Sequence, residues 1–170
     1  MRHLATALPE IRAHLERLRD LARDASGLIV ELGVRSGEST RALLESGRCV
    51  TSYDIDGDAY QVRKMLTPDE SERWTCCQSD SAEAGRKWDR GSVGLLFIDT
   101  DHSLETTRAE LAAWRPHIVP DGIIALHDVD LHEPGRDGVR PAALEVGWPY
   151  EEWVRQCEGD TGLGLLRRPT

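Results

Sequence analysis

The chain has 170 residues, 39% of them hydrophobic and 30% charged, which is enough to fold around one substantial core. Its formal net charge is −9 with no lysine or arginine block, and this argues against a nucleic-acid partner because a phosphate backbone would be repelled. The sequence has neither the roughly 20-residue apolar run of a membrane helix nor the apolar core of a signal peptide. We therefore expect a cytoplasmic protein that does not bind membranes.

Helix and strand patterns alternate through the first half of the chain. In chain order the patterns predict a helix at 8–24, a strand at 28–32, a helix at 36–46, a strand at 48–56, a helix at 58–66, a strand at 73–80 and a helix at 81–86. We expect Ser36 to cap the second helix and Gly47 to end it. The third helix should stop before Pro68, since proline disfavours helix at the residue before it.

The alternation continues in the second half. The patterns predict a strand at 94–101, a helix at 103–118, a strand at 122–130, a polar loop at 131–140, a helix-like segment and a weak strand at 161–168. Ser103 is the expected cap of the 103–118 helix, with Asp101 as an alternative. Repeated strand–helix units with short links predict one α/β domain over residues 1–170, built on a doubly wound, mostly parallel sheet.

A glycine turn follows the first strand in the stretch VELGVRSGEST, residues 30–40. Glycines at such a turn let the backbone approach a ligand closely. Three residues, not four, separate Gly33 from Gly37, and Glu38 stands where a phosphate-binding P-loop needs lysine. Arg35 occupies the middle glycine position of a dinucleotide fingerprint, which argues against a nicotinamide-dependent oxidoreductase. The acid Glu31 beside the turn would repel phosphate and favours a ligand with an amino group.

Asp54 ends the second strand, about 20 residues beyond the turn, where a carboxylate can accept both hydroxyls of a ribose. The glycine turn and this acid together indicate a nucleoside without a phosphate chain. The alternative is that they are only a helix start and a surface aspartate. Cysteines 49, 76, 77 and 157 lack metal-ligand spacing, so we expect reduced, mostly packed residues, with Cys76 and Cys77 on opposite faces of their strand.

The stretches VELGVRSGEST and SYDID resemble motif I and the second-strand acid of class I S-adenosylmethionine-dependent methyltransferases. The stretch at 95–130 resembles a small branch that includes cephalosporin-hydroxylase-type proteins and macrocin O-methyltransferases. The resemblance implies a Rossmann-like fold with an N-terminal helix at 1–26, a cofactor-binding core at 28–130 and an acceptor region at 131–170. The cofactor-binding residues that it implies are Glu31 and Gly33 at the methionine moiety, Asp54 at the ribose, Asp80 and Ser81 near the adenine, and Ser36, Gly37, Ser39 and Asp99.

Acids and histidines cluster at the ends of the strands predicted at 94–101 and 122–130. Adjacent parallel strands would bring Asp99, Asp101 and His102 next to His127, Asp128 and Asp130, and carboxylates with an imidazole suit Mg²⁺ or another divalent ion. The resemblance implies that Asp99, His127 and Asp128 hold the metal, although the family usually has a carboxylate at the position of His127. It places His102 where catechol-type enzymes carry a lysine base, and Asp99 beside it as a second catalytic residue. A core histidine is the alternative for His127.

These features predict an O-methyltransferase that uses S-adenosyl-L-methionine, assisted by a divalent metal, on a small hydroxylated metabolite. The alternative is an accessory protein that binds the cofactor with little or no activity. Only one short helix precedes the first strand, whereas the relatives build their acceptor pocket from longer segments. We therefore expect a homodimer.

Overall fold

The computed structural model of the chain describes residues 9–153 and 161–170, within which seven strands form one mixed sheet. In chain order they are β1 (Leu28–Leu32), β2 (Val50–Asp54), β3 (Trp74–Gln78), β4 (Val93–Ile98), β5 (Ile118–His127), β6 (Tyr150–Trp153) and β7 (Leu163–Arg167). Across the sheet their order is β3-β2-β1-β4-β5-β7-β6, where β1 to β5 are parallel and β7 is antiparallel to both neighbours. The predicted α/β fold with a mostly parallel sheet is confirmed.

Helices cover both faces of this sheet. The α-helices in the described residues are α1 (Pro9–Asp24), α2 (Glu38–Glu45), α3 (Pro68–Arg73), α4 (Ser81–Arg86), α5 (Leu104–Trp114) and α6 (Val139–Glu145). Two 3-10 segments lie at Gly57–Met65 and Arg115–His117. Leu18 of α1 and Leu43 of α2 belong to one hydrophobic cluster, and Trp114 of α5 belongs to a second.

The central strand β4 is buried along its whole length. Phe97 packs into the cluster with α1 and α2, whereas Leu96 and Ile98 pack into the cluster with α5, as the alternation of side chains along a strand requires. Burying each of these side chains contributes about 1.5–3 kcal/mol. The end of β4, where Asp99 follows, is therefore held from both sides.

The start of α2 differs from the prediction that Ser36 caps it. The N-cap is Gly37, whose φ of 79° is left-handed, and within the described residues no side chain caps this helix. An N-cap serine needs an extended backbone at the cap position, and here that position has turned into the left-handed region. The prediction that Gly47 ends this helix is confirmed. Gly47 has a left-handed φ of 85°, and its N–H donates a hydrogen bond to the carbonyl of Leu44.

Two elements were not predicted. Pro68 does not only end the preceding segment but begins α3, where Thr67 and Glu70 form a capping box. Strand β6 lies where the sequence suggested only a helix-like segment before the last strand. It pairs with β7 at the edge of the sheet, a contact between distant residues that local periodicity does not reveal.

The described cysteines follow the predictions in part. Cys76 and Cys77 are half-buried and pack on opposite clusters, whereas Cys49 is exposed, and these three form no disulfide; Cys157 lies outside the described residues. Three tryptophans are buried in the core, namely Trp74, Trp88 and Trp114. None of the helices at 9–153 and 161–170 combines the length and apolarity needed to cross a bilayer.

Candidate active site

A cleft of about 540 Å³ opens at the carboxyl ends of β1, β2, β3 and β4. Residues from the loop after each of these strands line it, at 33–35, 54–56, 79–81 and 99–101. Ligands of doubly wound sheets bind outside the carboxyl ends of the strands, where the strand order reverses. Here the order reverses between β1 and β4, so the cleft lies at the expected position.

The glycine turn forms the wall above β1. Gly33 has a φ of 86°, and a Cβ added to it would lie 2.0 Å from the backbone oxygen of Asp99. Gly37 is also left-handed, and a Cβ there would lie 2.4 Å from a methyl of Val62. Only glycine permits both this conformation and this close packing. The turn therefore presents its backbone to the cleft and lies directly against the end of β4.

The Asp54 carboxylate is hydrogen-bonded to the backbone of this turn. Its Oδ2 accepts hydrogen bonds from the backbone N–H groups of Val34 at 2.7 Å and Arg35 at 3.2 Å, and its Oδ1 accepts from Asp56 N–H at 2.8 Å. A carboxylate offers about four lone-pair positions, so it keeps capacity for a further donor. Its side chain lines the cleft. The predicted ribose contact of Asp54 is compatible with this geometry and stays a prediction.

Glu31 has no exposed surface. Its carboxylate accepts hydrogen bonds from Ser39 and Thr40 of α2, both at 2.7 Å, and from Ser52 of β2 at 2.6 Å. Burial raises the pKa of Glu31 to about 7, although the three hydroxyls act in the opposite direction. Glu31 therefore lies beneath the turn and joins β1, β2 and α2.

Ser36 and Ser39 line a smaller cavity beside the turn, together with Asp99, His127 and the α1 residue His14. Asp99 also lines the main cleft, so it stands between the two spaces. The predicted cofactor residues Asp80 and Ser81 lie at the other end of the main cleft. The predicted cofactor residues therefore line the main cleft or the smaller cavity, except Glu31 and Gly37, which line neither.

The ends of β4 and β5 bring an acid and histidine cluster together, as predicted. Nε2 of His102 lies 3.1 Å from Asp99 Oδ1 and 3.3 Å from Asp128 Oδ2, and one ligand atom from each of the three residues falls within 4.8 Å of the others. His102 and Asp128 both have left-handed backbones, with φ values of 64° and 58°. Such conformations in non-glycine residues cost free energy and concentrate at functional sites.

His127 also contacts the carboxylates of Asp99 and Asp128. Its Nδ1 lies 2.9 Å from Asp128 Oδ1 and 3.6 Å from Asp99 Oδ1. Burial of Asp128 works to raise its pKa, but contacts with His127 and Thr161 outweigh burial and hold the pKa of this carboxyl well below its usual range. The predicted cluster included both histidines, but the predicted metal ligands were the two aspartates with His127. In the structure the ligand atoms that lie within 4.8 Å of one another come from the two aspartates and His102.

Arg136, in the loop after β5, determines which ring nitrogen of His102 carries the proton. One of its Nη atoms lies 3.0 Å from His102 Nδ1. Because a guanidinium only donates hydrogen bonds, Nδ1 accepts and the ring proton is inferred to lie on Nε2, facing Asp99 and Asp128. The predicted role of His102 as a base stays a prediction, since its accepting nitrogen faces Arg136 in this arrangement.

Two buried residues at the site were not assigned a role from the sequence. His14 of α1 is 2% exposed, and its Nδ1 lies 3.3 Å from His127 Nε2. Glu110 of α5 has no exposed surface and accepts hydrogen bonds from the cleft residues Ser81 and Thr100. Each stands next to apolar residues on its helix, His14 beside Leu15 and Glu110 beside Leu111, but other polar residues surround them and no distinct sequence signal marked either.

Comparisons with known proteins agree with this geometry. A sequence model described as "Methyltransferase domain" matches residues 30–129. Cofactor-bound Rv0187 from MTB has 18% identity and a TM-score of 0.76, covering 97% of this chain and 83% of that chain. An O-methyltransferase from Bacillus cereus in complex with SAH has 17% identity and a TM-score of 0.71, covering 95% and 82%.

The TDP-rhamnose 3'-O-methyltransferase CalS11, of calicheamicin biosynthesis, has 21% identity and a TM-score of 0.67, covering 91% of this chain and 77% of that chain. At these identities the likeness shows a shared fold. A search among curated proteins gave no match.

Proposed function

The chain belongs to the methyltransferase-domain family, and from this premise we propose that it transfers a methyl group from S-adenosyl-L-methionine to a hydroxyl oxygen of a small metabolite. One observation carries the proposal. Asp99 lines the cleft and is also a member of the acid and histidine cluster, so a cofactor in the cleft and an acceptor at the cluster would meet at this residue.

The cleft fits an adenosyl sulfonium better than a phosphate-bearing nucleotide. Its wall carries carboxylates at Asp54, Asp56, Asp80, Asp99 and Asp101, which would repel phosphate and attract a cation. The B. cereus O-methyltransferase with this fold was solved with SAH. We therefore assign the glycine turn, with Gly33, Ser36, Gly37 and Ser39, to the methionine moiety, and Glu31 to its support from beneath.

The remaining cofactor residues follow the cleft from β2 to β3. We assign Asp54 to the ribose hydroxyls and the pair Asp80 and Ser81 to the adenine. Ile55 follows Asp54, lines the cleft and is 74% exposed, so it offers an apolar surface for the flat face of the base. Asp99 then lies near the sulfonium end, beside the acceptor.

The donor set at the ends of β4 and β5 fits a divalent metal. Asp99 and Asp128 supply oxygens, and His127 or His102 supplies a nitrogen, a mixture suited to Mg²⁺ or to a transition ion such as Mn²⁺. A bound ion would lower the pKa of the acceptor hydroxyl and fix its position.

The protein's own residues have three tasks in this reaction. They align the acceptor oxygen, the methyl carbon and the sulfur in one line, they exclude water, and they receive the hydroxyl proton. As the oxygen–carbon bond forms, the carbon–sulfur bond breaks and its electron pair leaves with sulfur, which becomes neutral. We assign proton acceptance to His102 Nδ1, which can take the hydroxyl proton only once Arg136 has moved away from it, with Asp99 orienting the ring through Nε2.

A cofactor-binding protein without turnover is the second candidate. Both ring nitrogens of His102 already have partners in this structure, one in Arg136 and one in the two aspartates, which favours a closed and inactive cluster. A methyl-transfer assay with hydroxylated acceptors separates the two candidates.

The expected homodimer stays a prediction, to be tested by light scattering coupled to size-exclusion chromatography.

The proposed function is tested by titration calorimetry with S-adenosylhomocysteine. We expect binding to the wild-type protein, and binding weakened about tenfold or more in Asp54→Ala, because charge-assisted hydrogen bonds to the ribose are lost. Asp24→Asn, an exposed acid of α1, is the control and should bind like the wild type. If the wild-type protein binds neither this nucleoside nor S-adenosylmethionine, the proposed function is wrong.

A further inference from the structure

One end of the cleft, lined by Ser81 after β3 and Thr100 after β4, is supported by a buried acid. Glu110 of α5 has no exposed surface, and its two oxygens accept hydrogen bonds from different hydroxyls. Oε1 accepts from Ser81 at 2.5 Å, and Oε2 accepts from Thr100 at 3.1 Å. Both hydroxyl residues line the cleft, so one acid holds two neighbouring points of its wall.

This arrangement fixes the direction of both hydroxyl hydrogens. An ionised carboxylate only accepts hydrogen bonds, so Ser81 and Thr100 must point their hydrogens at Glu110. The lone pairs that remain on each hydroxyl oxygen are then available to the cleft. Thr106 repeats the pattern, because its hydroxyl donates to Asp101 at 2.9 Å and its side chain also lines the cleft. This end of the cleft therefore offers hydroxyl acceptors.

The same wall is held firmly in place. The indole N–H of Trp114 donates to the carbonyl of Ser81 at 2.9 Å, and Trp114 is completely buried. Ser81 is thus fixed through its backbone by Trp114 and through its side chain by Glu110. A hydroxyl fixed in this way cannot rotate to suit either a donor or an acceptor without losing its bond to the acid.

We propose that Glu110 is a positioning residue that makes the cleft select a 6-amino purine over a 6-oxo purine, by turning the Ser81 and Thr100 hydroxyls into hydrogen-bond acceptors. An exocyclic amino group brings two N–H donors, one for each hydroxyl oxygen, whereas a carbonyl at the same position would face lone pairs. The inference rests on the proposed function, which puts the adenine at this end of the cleft.

The ionisation of Glu110 supports a pH test. Burial raises the pKa of Glu110 to about 7, the hydroxyls of Ser81 and Thr100 oppose this, and the negative charges of Asp101 and Asp80 add to it. Above this pKa the acid is ionised and both hydroxyls accept from the ligand. As the pH falls below it, the protonated acid donates to one hydroxyl, which is then free to donate its own hydrogen into the cleft.

The experiment compares calorimetric dissociation constants for S-adenosylhomocysteine and S-inosylhomocysteine, which differ in the 6-amino and 6-oxo groups. At pH 8.5 we expect the wild-type protein to prefer the amino compound, and Glu110→Gln to lower that preference about three- to tenfold, the worth of one hydrogen bond. The glutamine amide donates to one hydroxyl and so reverses its direction. The wild-type preference should also fall between about pH 8 and pH 6, while that of Glu110→Gln stays flat.

Glu31→Gln is the matched control. Glu31 is equally buried, it accepts hydrogen bonds from three hydroxyls where Glu110 accepts from two, and its pKa is likewise raised to about 7, but it lies beneath the glycine turn. We expect it to leave the amino-to-oxo preference unchanged, even if it weakens both ligands. If Glu110→Gln fails to fold, Thr100→Val removes one hydroxyl at constant shape and should lower the preference in the same direction.

An unchanged preference in Glu110→Gln, with tight binding of S-adenosylhomocysteine, overturns the role of Glu110 and leaves the proposed function standing. A preference lowered as much by Glu31→Gln as by Glu110→Gln also overturns it, because the effect would then be general to the fold. Failure of the wild-type protein to bind either nucleoside rejects the proposed function itself.

Discussion

Asp54 and Asp128 are both acids at strand ends, but different donors hold them. Backbone N–H groups of the glycine turn bind Asp54, whereas side chains of His127 and Thr161 bind Asp128. The first acid therefore shapes the cleft, and the second belongs to the acid and histidine cluster at the ends of β4 and β5. Changes at the two positions should have separable effects.

We expect Asp128→Asn to bind S-adenosylhomocysteine within about twofold of the wild type but to lose methyl transfer by about 100-fold or more. The amide keeps the shape of the side chain and removes the charge that the cluster needs. Calorimetry and a transfer assay in the presence of a divalent ion measure the two effects. Loss of cofactor binding alone, with turnover retained at saturating cofactor, would contradict this assignment.

The turns before and after α2 each contain a glycine with a left-handed backbone. Gly33 and Gly47 have almost the same left-handed φ, 86° and 85°, but different surroundings. A Cβ on Gly33 would collide with the backbone of Asp99, whereas a Cβ on Gly47 would meet no atom within 4 Å. A comparison of alanine substitutions at the two positions therefore separates the cost of a left-handed backbone from the cost of a steric clash.

We expect Gly47→Ala to lower the free energy of unfolding by about 1 kcal/mol, the cost of a left-handed alanine. Gly33→Ala should cost about 3 kcal/mol or more and also weaken cofactor binding, because the turn must move away from β4. Urea unfolding followed by circular dichroism measures both values. Equal losses in the two variants would show that the contact with Asp99 is unimportant.

The sequence predicted the first five strands, because β1 and β4 are short apolar runs and the segments between the predicted helices leave room for β2, β3 and β5 in a regular alternation. It also predicted which strand ends carry Asp54, Asp99 and Asp128. It did not predict the antiparallel pairing of β6 and β7, since pairing partners lie far apart in the chain. The contact between His14 and His127 was missed for the same reason, as 113 residues separate them.

One buried acid lies on each side of the sheet. Glu31 bonds to α2, and Glu110 lies on α5 across the sheet. Burial raises the pKa of both to about 7, so the folded state retains protons that the unfolded chain releases at about pH 4.5. Their contribution to stability is therefore complete below about pH 4.5 and is lost as the pH rises to about 7.

We expect Glu31→Gln to gain stability relative to the wild type as the pH rises from 5 to 8, by up to about 3 kcal/mol. Glutamine remains neutral and does not carry the cost of a buried charge at high pH. Urea unfolding at both pH values measures the change, with the exposed Glu105→Gln as the control that should show none. A constant difference between Glu31→Gln and the wild type would mean that Glu31 does not titrate in this range.

The aromatic cluster behind the cleft has a practical consequence. The ring of Tyr53, which lines the cleft, lies 5.9 Å from that of Trp114 and 6.5 Å from that of Trp88, and the two tryptophan rings lie 5.2 Å apart. Because the indole of Trp114 is hydrogen-bonded to the backbone of Ser81, a ligand that enters beside Ser81 changes the polarity around a buried chromophore. The intrinsic tryptophan fluorescence of the unlabelled protein should therefore change when a ligand occupies the cleft. Ligands of the cleft can then be screened by fluorescence emission, without a methyl acceptor.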